Sequence, residues 1–151
     1  YLLAGGATLA LLPLRRAAAE SFEVTKDAAE WRLLLSADAY AVLREEATER
    51  PGSSLLLHEK RAGLYHCKGC DLAVYSSEHK YDSGTGWPSF WRALPDAIGT
   101  KEDDSFFTTR SEVHCRRCGG HFGHIFDDGP PPTGERHCLN GLALNFKPQQ
   151  A

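Results

Sequence analysis

The sequence contains no methionine. It shows no internal repeat and no apolar run of the ~20 residues that a membrane-spanning helix needs. Nor is there an excess of positive charge: 17 basic side chains stand against 20 acidic ones, a net charge of −3. That balance excludes the broad basic surface through which proteins grip nucleic-acid phosphates. Strands alternating with long amphipathic helices are missing too, which argues against a parallel βαβ sheet. Cysteine is scarce and odd in number, at five. A pure disulfide framework would leave one thiol over, so metal binding, catalysis or both are implicated.

What is present fits one folded domain. The chain has 151 residues, 42% hydrophobic and 25% charged, enough for a single buried core and too apolar for disorder. Residues 1–19 differ from the rest. Leu2 to Leu14 is apolar apart from Gly5, Gly6, Thr8 and Pro13, and is followed by Arg15, Arg16 and three alanines. This has the length of a signal-peptide core, with small residues ahead of a cut near Glu20. The expectation is a signal-like segment over 1–19, a folded domain over 20–151, and export to a periplasmic or other extracytoplasmic space. If 1–19 is not a signal, the expected location is the cytoplasm.

Asp27 to Leu35 reads as a short helix with Trp31, Leu34 and Leu35 on one side. Ser36 is a helix-capping residue for a second helix carrying Ala39, Tyr40, Val42 and Leu43, closed by Arg50-Pro51-Gly52. Beyond it lie short apolar stretches between turn residues. Leu64 to Cys67, Leu72 to Tyr75, Phe106 to Thr109, His121 to Phe126 and Cys138 to Phe146 are the strand candidates. Pro130-Pro131-Pro132 reads as a stiff extended spacer. The fold class is α+β, mostly antiparallel β, with the helices at the N-terminal end.

Four cysteines form two C-x-x-C pairs, Cys67/Cys70 and Cys115/Cys118. A tight turn brings both sulfurs of a pair onto one ion, and two such turns complete a tetrahedral site. Gly69 and the Gly119-Gly120 pair suit such turns. The pairs are far apart in sequence, so a zinc ion here would staple two distant hairpins. It would be structural, because four protein ligands leave no open position. A redox dithiol and a pair of disulfides are the alternatives.

Cys138 stands apart, within Glu135-Arg136-His137-Cys138-Leu139-Asn140. If Cys138 to Phe146 is one strand, Cys138, Asn140, Leu142, Leu144 and Phe146 share a face, with the thiol at its polar end. Arg136 and His137 are close enough in sequence to favour a thiolate. His121 and His124 would face opposite ways in a regular strand, and a bulge at Gly123 would turn both to one side. A cysteine with nearby histidines suits nucleophilic chemistry with acid assistance.

The segment Asp82-Ser83-Gly84-Thr85-Gly86-Trp87-Pro88-Ser89-Phe90, the two C-x-x-C pairs, the stretch His121 to Pro132 and the Arg-x-Cys-x-Asn element ending at Asn140 together resemble the methionine-R-sulfoxide reductases, the MsrB family. The resemblance runs in order from about Phe22 to Pro148. It implies a β-rich fold with a structural zinc on Cys67, Cys70, Cys115 and Cys118, away from the catalytic cysteine. It implies reduction of the R-epimer of methionine sulfoxide, free or in oxidised proteins. Cys138 matches the family's nucleophile, His121 and His124 the pair that acts on the sulfoxide oxygen, Asn140 the ordering polar residue and Arg136 the nearby cation. Trp87 matches the aromatic wall for the substrate methyl, and Phe126 is placed with it as a substrate-binding residue.

Two positions depart from the family pattern. Many members carry a second, resolving cysteine where this chain has Thr85, and His137 stands where tyrosine is more usual. With four cysteines assigned to zinc, no resolving thiol remains. The expected reductant of Cys138 is therefore an external thiol, a thioredoxin-like protein or a small molecule. The competing class, a zinc-ribbon binding module without catalysis, leaves Cys138 and the tryptophan loop without a purpose.

Overall fold

The computed structural model describes residues 20–150; the signal-like segment 1–19 lies outside them. Among the described residues, no helix is long and apolar enough to cross a membrane.

Two short helices come first. α1 (Ala28–Leu34) starts at Asp27, whose carboxylate accepts from the Glu30 amide while the Glu30 side chain accepts from the Asp27 amide, a reciprocal cap. α2 (Ala37–Glu45) starts at Ser36, whose hydroxyl accepts from the Ala39 amide. Trp31, Leu35, Ala39, Val42 and Leu43 point into the core, whereas Leu34 is 62% exposed, off the face expected for it. α2 also ends before Arg50-Pro51-Gly52: Glu46 takes a left-handed conformation (φ 57°), and the chain runs on as an irregular loop.

Among the described residues, nine strands follow in two antiparallel sheets. They are β1 (Gly63–Cys67), β2 (Ala73–Ser76), β3 (Lys80–Tyr81), β4 (Ser89–Phe90), β5 (Ile98–Asp103), β6 (Arg110–Cys115), β7 (His121–Phe126), β8 (Arg136–Leu139) and β9 (Leu144–Pro148). The smaller sheet has the order β2-β1-β9 and the larger β3-β4-β8-β7-β6-β5. Tyr65, Val74, Tyr75, Phe90, Val113, Phe122, Leu139 and Leu144 fill the core that joins them. The observed class is mostly antiparallel β with two helices, as the sequence implies.

Three expectations are corrected. Phe106 to Thr109 is the bend between β5 and β6, with Phe106 and Phe107 both exposed. Two adjacent aromatics mimic a strand, but neither finds a core to enter. Cys138 to Phe146 is not one strand: a 3-10 turn over Gly141–Ala143 breaks it, and its halves join different sheets. The proposed shared face from Cys138 to Phe146 therefore does not exist. Pro130-Pro131-Pro132 is a turn, closed by the Gly134 amide donating to the Pro130 carbonyl at 2.9 Å.

Candidate active site

The site is built on the register of the larger sheet. In an antiparallel pair, residues directly opposite share a face. Ser89 on β4 pairs with Cys138 on β8, Cys138 with His124 on β7, His124 with Glu112 on β6, and Glu112 with Lys101 on β5. These five side chains form one row across five strands. His121 joins that face because β7 holds an extra residue: Val113 pairs with Gly123, while the next residue, His114, pairs with His121. The bulge brings the His121 and His124 ring centres to 5.5 Å. Gly123 serves a second purpose, since a Cβ there would collide with the Cys138 backbone carbonyl.

Each histidine is held by a carboxylate that sequence reading had not singled out. Glu112, itself only 2% exposed, accepts from His121 Nδ1 at 2.8 Å and from His114 Nδ1 at 2.7 Å. Asp103, at the end of β5, accepts from His124 Nε2 at 2.7 Å and from Arg110 at 2.9 Å. One nitrogen of each ring is thereby fixed as a donor, leaving the other for chemistry. Nε2 of His121 is buried and has no hydrogen-bond partner among the described residues. Burial lowers the His124 pKa, and the Asp103 hydrogen bond offsets this only in part. For Glu112, burial pushes the carboxyl up, but the two histidines together bring it down to about 2. A carboxyl lowered in this way stabilises the fold above its unfolded pKa near 4.5 and loses that contribution as pH falls toward 2. Replacing Glu112 with alanine strips two buried histidines of their acceptor; the expected loss is about 3 kcal/mol, measured by urea unfolding at pH 7.

Cys138 is half-buried, and burial raises its pKa. The Arg136 charge and the Thr85 hydroxyl act in the other direction and lower it, but burial wins. Arg136 is not a free cation: its guanidinium forms two hydrogen bonds to Asp128, at 2.7 and 3.0 Å, and lies 4.3 Å above the Phe126 ring centre. His137 does not take part. Its ring points to the opposite face, into the core, where Nδ1 meets the Tyr75 hydroxyl at 2.9 Å and Nε2 meets Glu135 at 2.9 Å. Any support for the thiolate comes from Arg136 rather than His137.

Trp87 and Asn140 are tied through one backbone unit. The Glu49 carbonyl accepts from the Trp87 indole at 3.0 Å, and the Glu49 amide donates to Asn140 Oδ1 at 3.0 Å. The buried Glu49 carboxylate then accepts from the Gly141 and Leu142 amides. Gly86, with φ 96°, lies against Pro51, and the Gly52 amide donates to its carbonyl. The Trp87 loop is therefore docked and half-buried, not free in solvent. A cavity of about 680 Å³ lies by Glu49, Leu142 and Phe146 and includes neither Cys138 nor His124.

Both C-x-x-C pairs sit at hairpin turns, one between β1 and β2 and the other between β6 and β7. Their four sulfurs lie within 4.8 Å of one another, positioned to hold a metal ion. Cys67 and Cys118 are 3.6 Å apart and Cys70 and Cys115 3.5 Å. Four thiolates at zinc bond lengths stand roughly 3.8 Å apart, so the donor set fits such an ion. None of the five cysteines is in a disulfide. Arg117 donates to the Cys70 carbonyl and Arg44 to the Cys118 carbonyl, bracing the turns against each other and against α2.

A half-buried thiol beside two carboxylate-held histidines, on a β scaffold braced by a cysteine cluster, defines a thiol-dependent oxidoreductase. Residues 35–148 match the family model described as the SelR domain. A peptide methionine sulfoxide reductase MsrB of Methanosarcina barkeri is 48% identical over 128 residues, covering 84% of this chain and 90% of that one. The MsrB of Thioalkalivibrio sulfidiphilus is 51% identical over 114 residues, 75% of this chain and 83% of that one. The mitochondrial methionine-R-sulfoxide reductase B2 of Danio rerio is 45% identical over 129 residues, 80% and 72% of the two chains. The chain belongs to the MsrB family.

Proposed function

We propose that this enzyme reduces the R-epimer of methionine sulfoxide, with Cys138 as nucleophile and an external thiol as reductant. The observation that carries the reading is the register that pairs Cys138 with His124, with His121 alongside. The Cys138 thiolate attacks the sulfoxide sulfur while the oxygen takes up a proton, supplied by His121 or His124 in its imidazolium form. Sulfur–oxygen exchange then releases methionine and leaves a sulfenic acid on Cys138. One external thiol condenses with it, expelling water, and a second thiol breaks the mixed disulfide to restore Cys138. Trp87 supplies an apolar wall for the methyl group, with Phe126 beside Arg136 on the other side of the reactive row. Cys67, Cys70, Cys115 and Cys118 would hold one zinc ion, which adds rigidity and no chemistry at Cys138. The signal-like pattern of residues 1–19 supports work outside the cytoplasm, testable from the N-terminus of the mature protein.

The deciding experiment offers separated R- and S-epimers of methionine sulfoxide with dithiothreitol; consumption of the S-epimer alone would sink the proposal. Thr85 bears on the reductant. One equivalent of substrate without reductant leaves the wild type with a sulfenic acid that dimedone traps. In a Thr85→Cys variant the same treatment is expected to form an intramolecular disulfide to Cys138, seen as the loss of two hydrogens from the intact mass. A disulfide at Cys138 in the wild type would refute direct reduction by an outside thiol.

A further inference from the structure

Glu49 stands at the junction of two parts of the site. Its backbone carbonyl accepts from the Trp87 indole at 3.0 Å, and its amide donates to Asn140 Oδ1 at 3.0 Å. Its carboxylate accepts from the Gly141 amide at 2.6 Å and from the Leu142 amide at 3.2 Å. One residue, buried although it lies in an irregular loop, bonds both the aromatic wall and the segment that follows Cys138. The same two parts meet again beside the thiol, where the Leu139 amide donates to the Pro88 carbonyl at 2.9 Å.

The carboxylate has a definite task. Gly141–Ala143 is a 3-10 turn, and the first amides of such a turn find no partner within it. Asn140 is in the capping position, yet its side chain makes no bond to the turn. That side chain instead joins the Glu49 amide to the Phe122 carbonyl of β7. The Glu49 carboxylate caps the turn in its place, with one oxygen on each free amide. A carboxylate this buried is tolerated only while its oxygens are matched, so the loop around Glu49 has little room to move. The Trp87 indole is bonded to the carbonyl of that same residue, and its orientation follows from the cap.

Resting on the function proposed above, we infer that Glu49 is a positioning residue: by capping the turn after Cys138 it holds the Trp87 wall where the substrate sulfur has room for a methyl group and no more. It acts through Trp87 and Asn140 and takes no part in bond making. A ring fixed at both its loop and its indole gives the site a set width. A loosened ring widens it, and selection between sulfoxides that differ by one methylene falls.

The test compares the R-epimers of methionine sulfoxide and of its S-ethyl homologue as substrates of the metal-loaded protein with dithiothreitol. The wild type is expected to favour the S-methyl compound in kcat/KM by about tenfold or more. Glu49→Ala should lower kcat/KM for that compound by about tenfold and bring the preference to within about threefold. Glu49→Gln keeps one acceptor oxygen; it should fall between the two and serves if the alanine variant fails to fold. Loss of folded protein alone scales both substrates equally and leaves their ratio where it was. Trp87→Phe, which removes the indole donor, should relax the preference to the same degree, and adding Glu49→Ala to it should relax it no further. A second readout needs no turnover: hydrogen exchange at the Trp87 indole, assigned by its loss in Trp87→Phe, should quicken by about tenfold in Glu49→Ala. Unchanged indole exchange in both Glu49 variants, a methyl preference that stays at the wild-type value, or a double variant that relaxes it further overturns the inference. A wild type inactive on the R-epimer removes the proposed reaction, while the indole exchange still decides whether Glu49 holds Trp87.

Discussion

Replacing Cys138 with serine is expected to lower kcat/KM for the R-epimer by about a thousandfold or more, with the fold intact. Serine is nearly the size of cysteine, and the position is on the outer face of β8 rather than in the core, so thermal melting should move little. The hydroxyl cannot replace the thiol, because it is far less ionised at pH 7 and its oxygen cannot carry the sulfenic state. Turnover of the separated epimers and a melting curve on the same preparation decide the matter. Activity near the wild-type level in Cys138→Ser would move the chemistry to another thiol. The four remaining cysteines are clustered at the hairpin turns, so such a result would also unseat the metal site.

Removing the metal is expected to have the larger effect on stability. Structural zinc sites contribute about 10–16 kcal/mol of apparent binding energy, comparable with the whole stability of a domain this size, about 5–15 kcal/mol. The cluster joins a hairpin of the three-stranded sheet to a hairpin of the six-stranded one, so its loss leaves the shared core to hold the two sheets together. Metal analysis should find one zinc per chain. Chelation, or Cys67→Ser, should remove it and abolish cooperative melting at physiological temperature. A metal-free protein that melts with the wild-type midpoint would show that the four sulfurs bind no structural ion.

Residues whose roles depend on near neighbours in sequence were legible before the structure. The two C-x-x-C turns, the capping residue Ser36 and Cys138 all carry local spacing that physical chemistry constrains, and the Trp87 loop was legible through the family resemblance. Glu112 and Asp103 were not legible, although they hold the two histidines. Each meets its partner across a strand pair, and only the register of β5, β6 and β7 determines that meeting. β5 itself gave little signal, because Thr100, Lys101 and Glu102 are exposed and no apolar alternation marks it. The opposite error arose at Phe106-Phe107, where apolar character lacks a core, and after Asn140, where an apolar run is folded at a 3-10 turn instead of extended. Glu49 was missed for a similar reason: it lies in an irregular loop and binds two segments more than 35 residues away.

The cross-strand pairing of Cys138 with His124 also sets how this site can fail. Neither group relies on a long, flexible side chain to find the other; their separation belongs to the backbone of β7 and β8. A single-residue slip between those strands would turn His137 outward and bury Cys138 against Tyr75 and Phe90. The enzyme would then keep every one of its reactive residues and lose its reaction. An insertion in the turn between β7 and β8 can be absorbed as loop, whereas one inside either strand inverts the site, so length variation across relatives should collect in that turn and stay out of the strands.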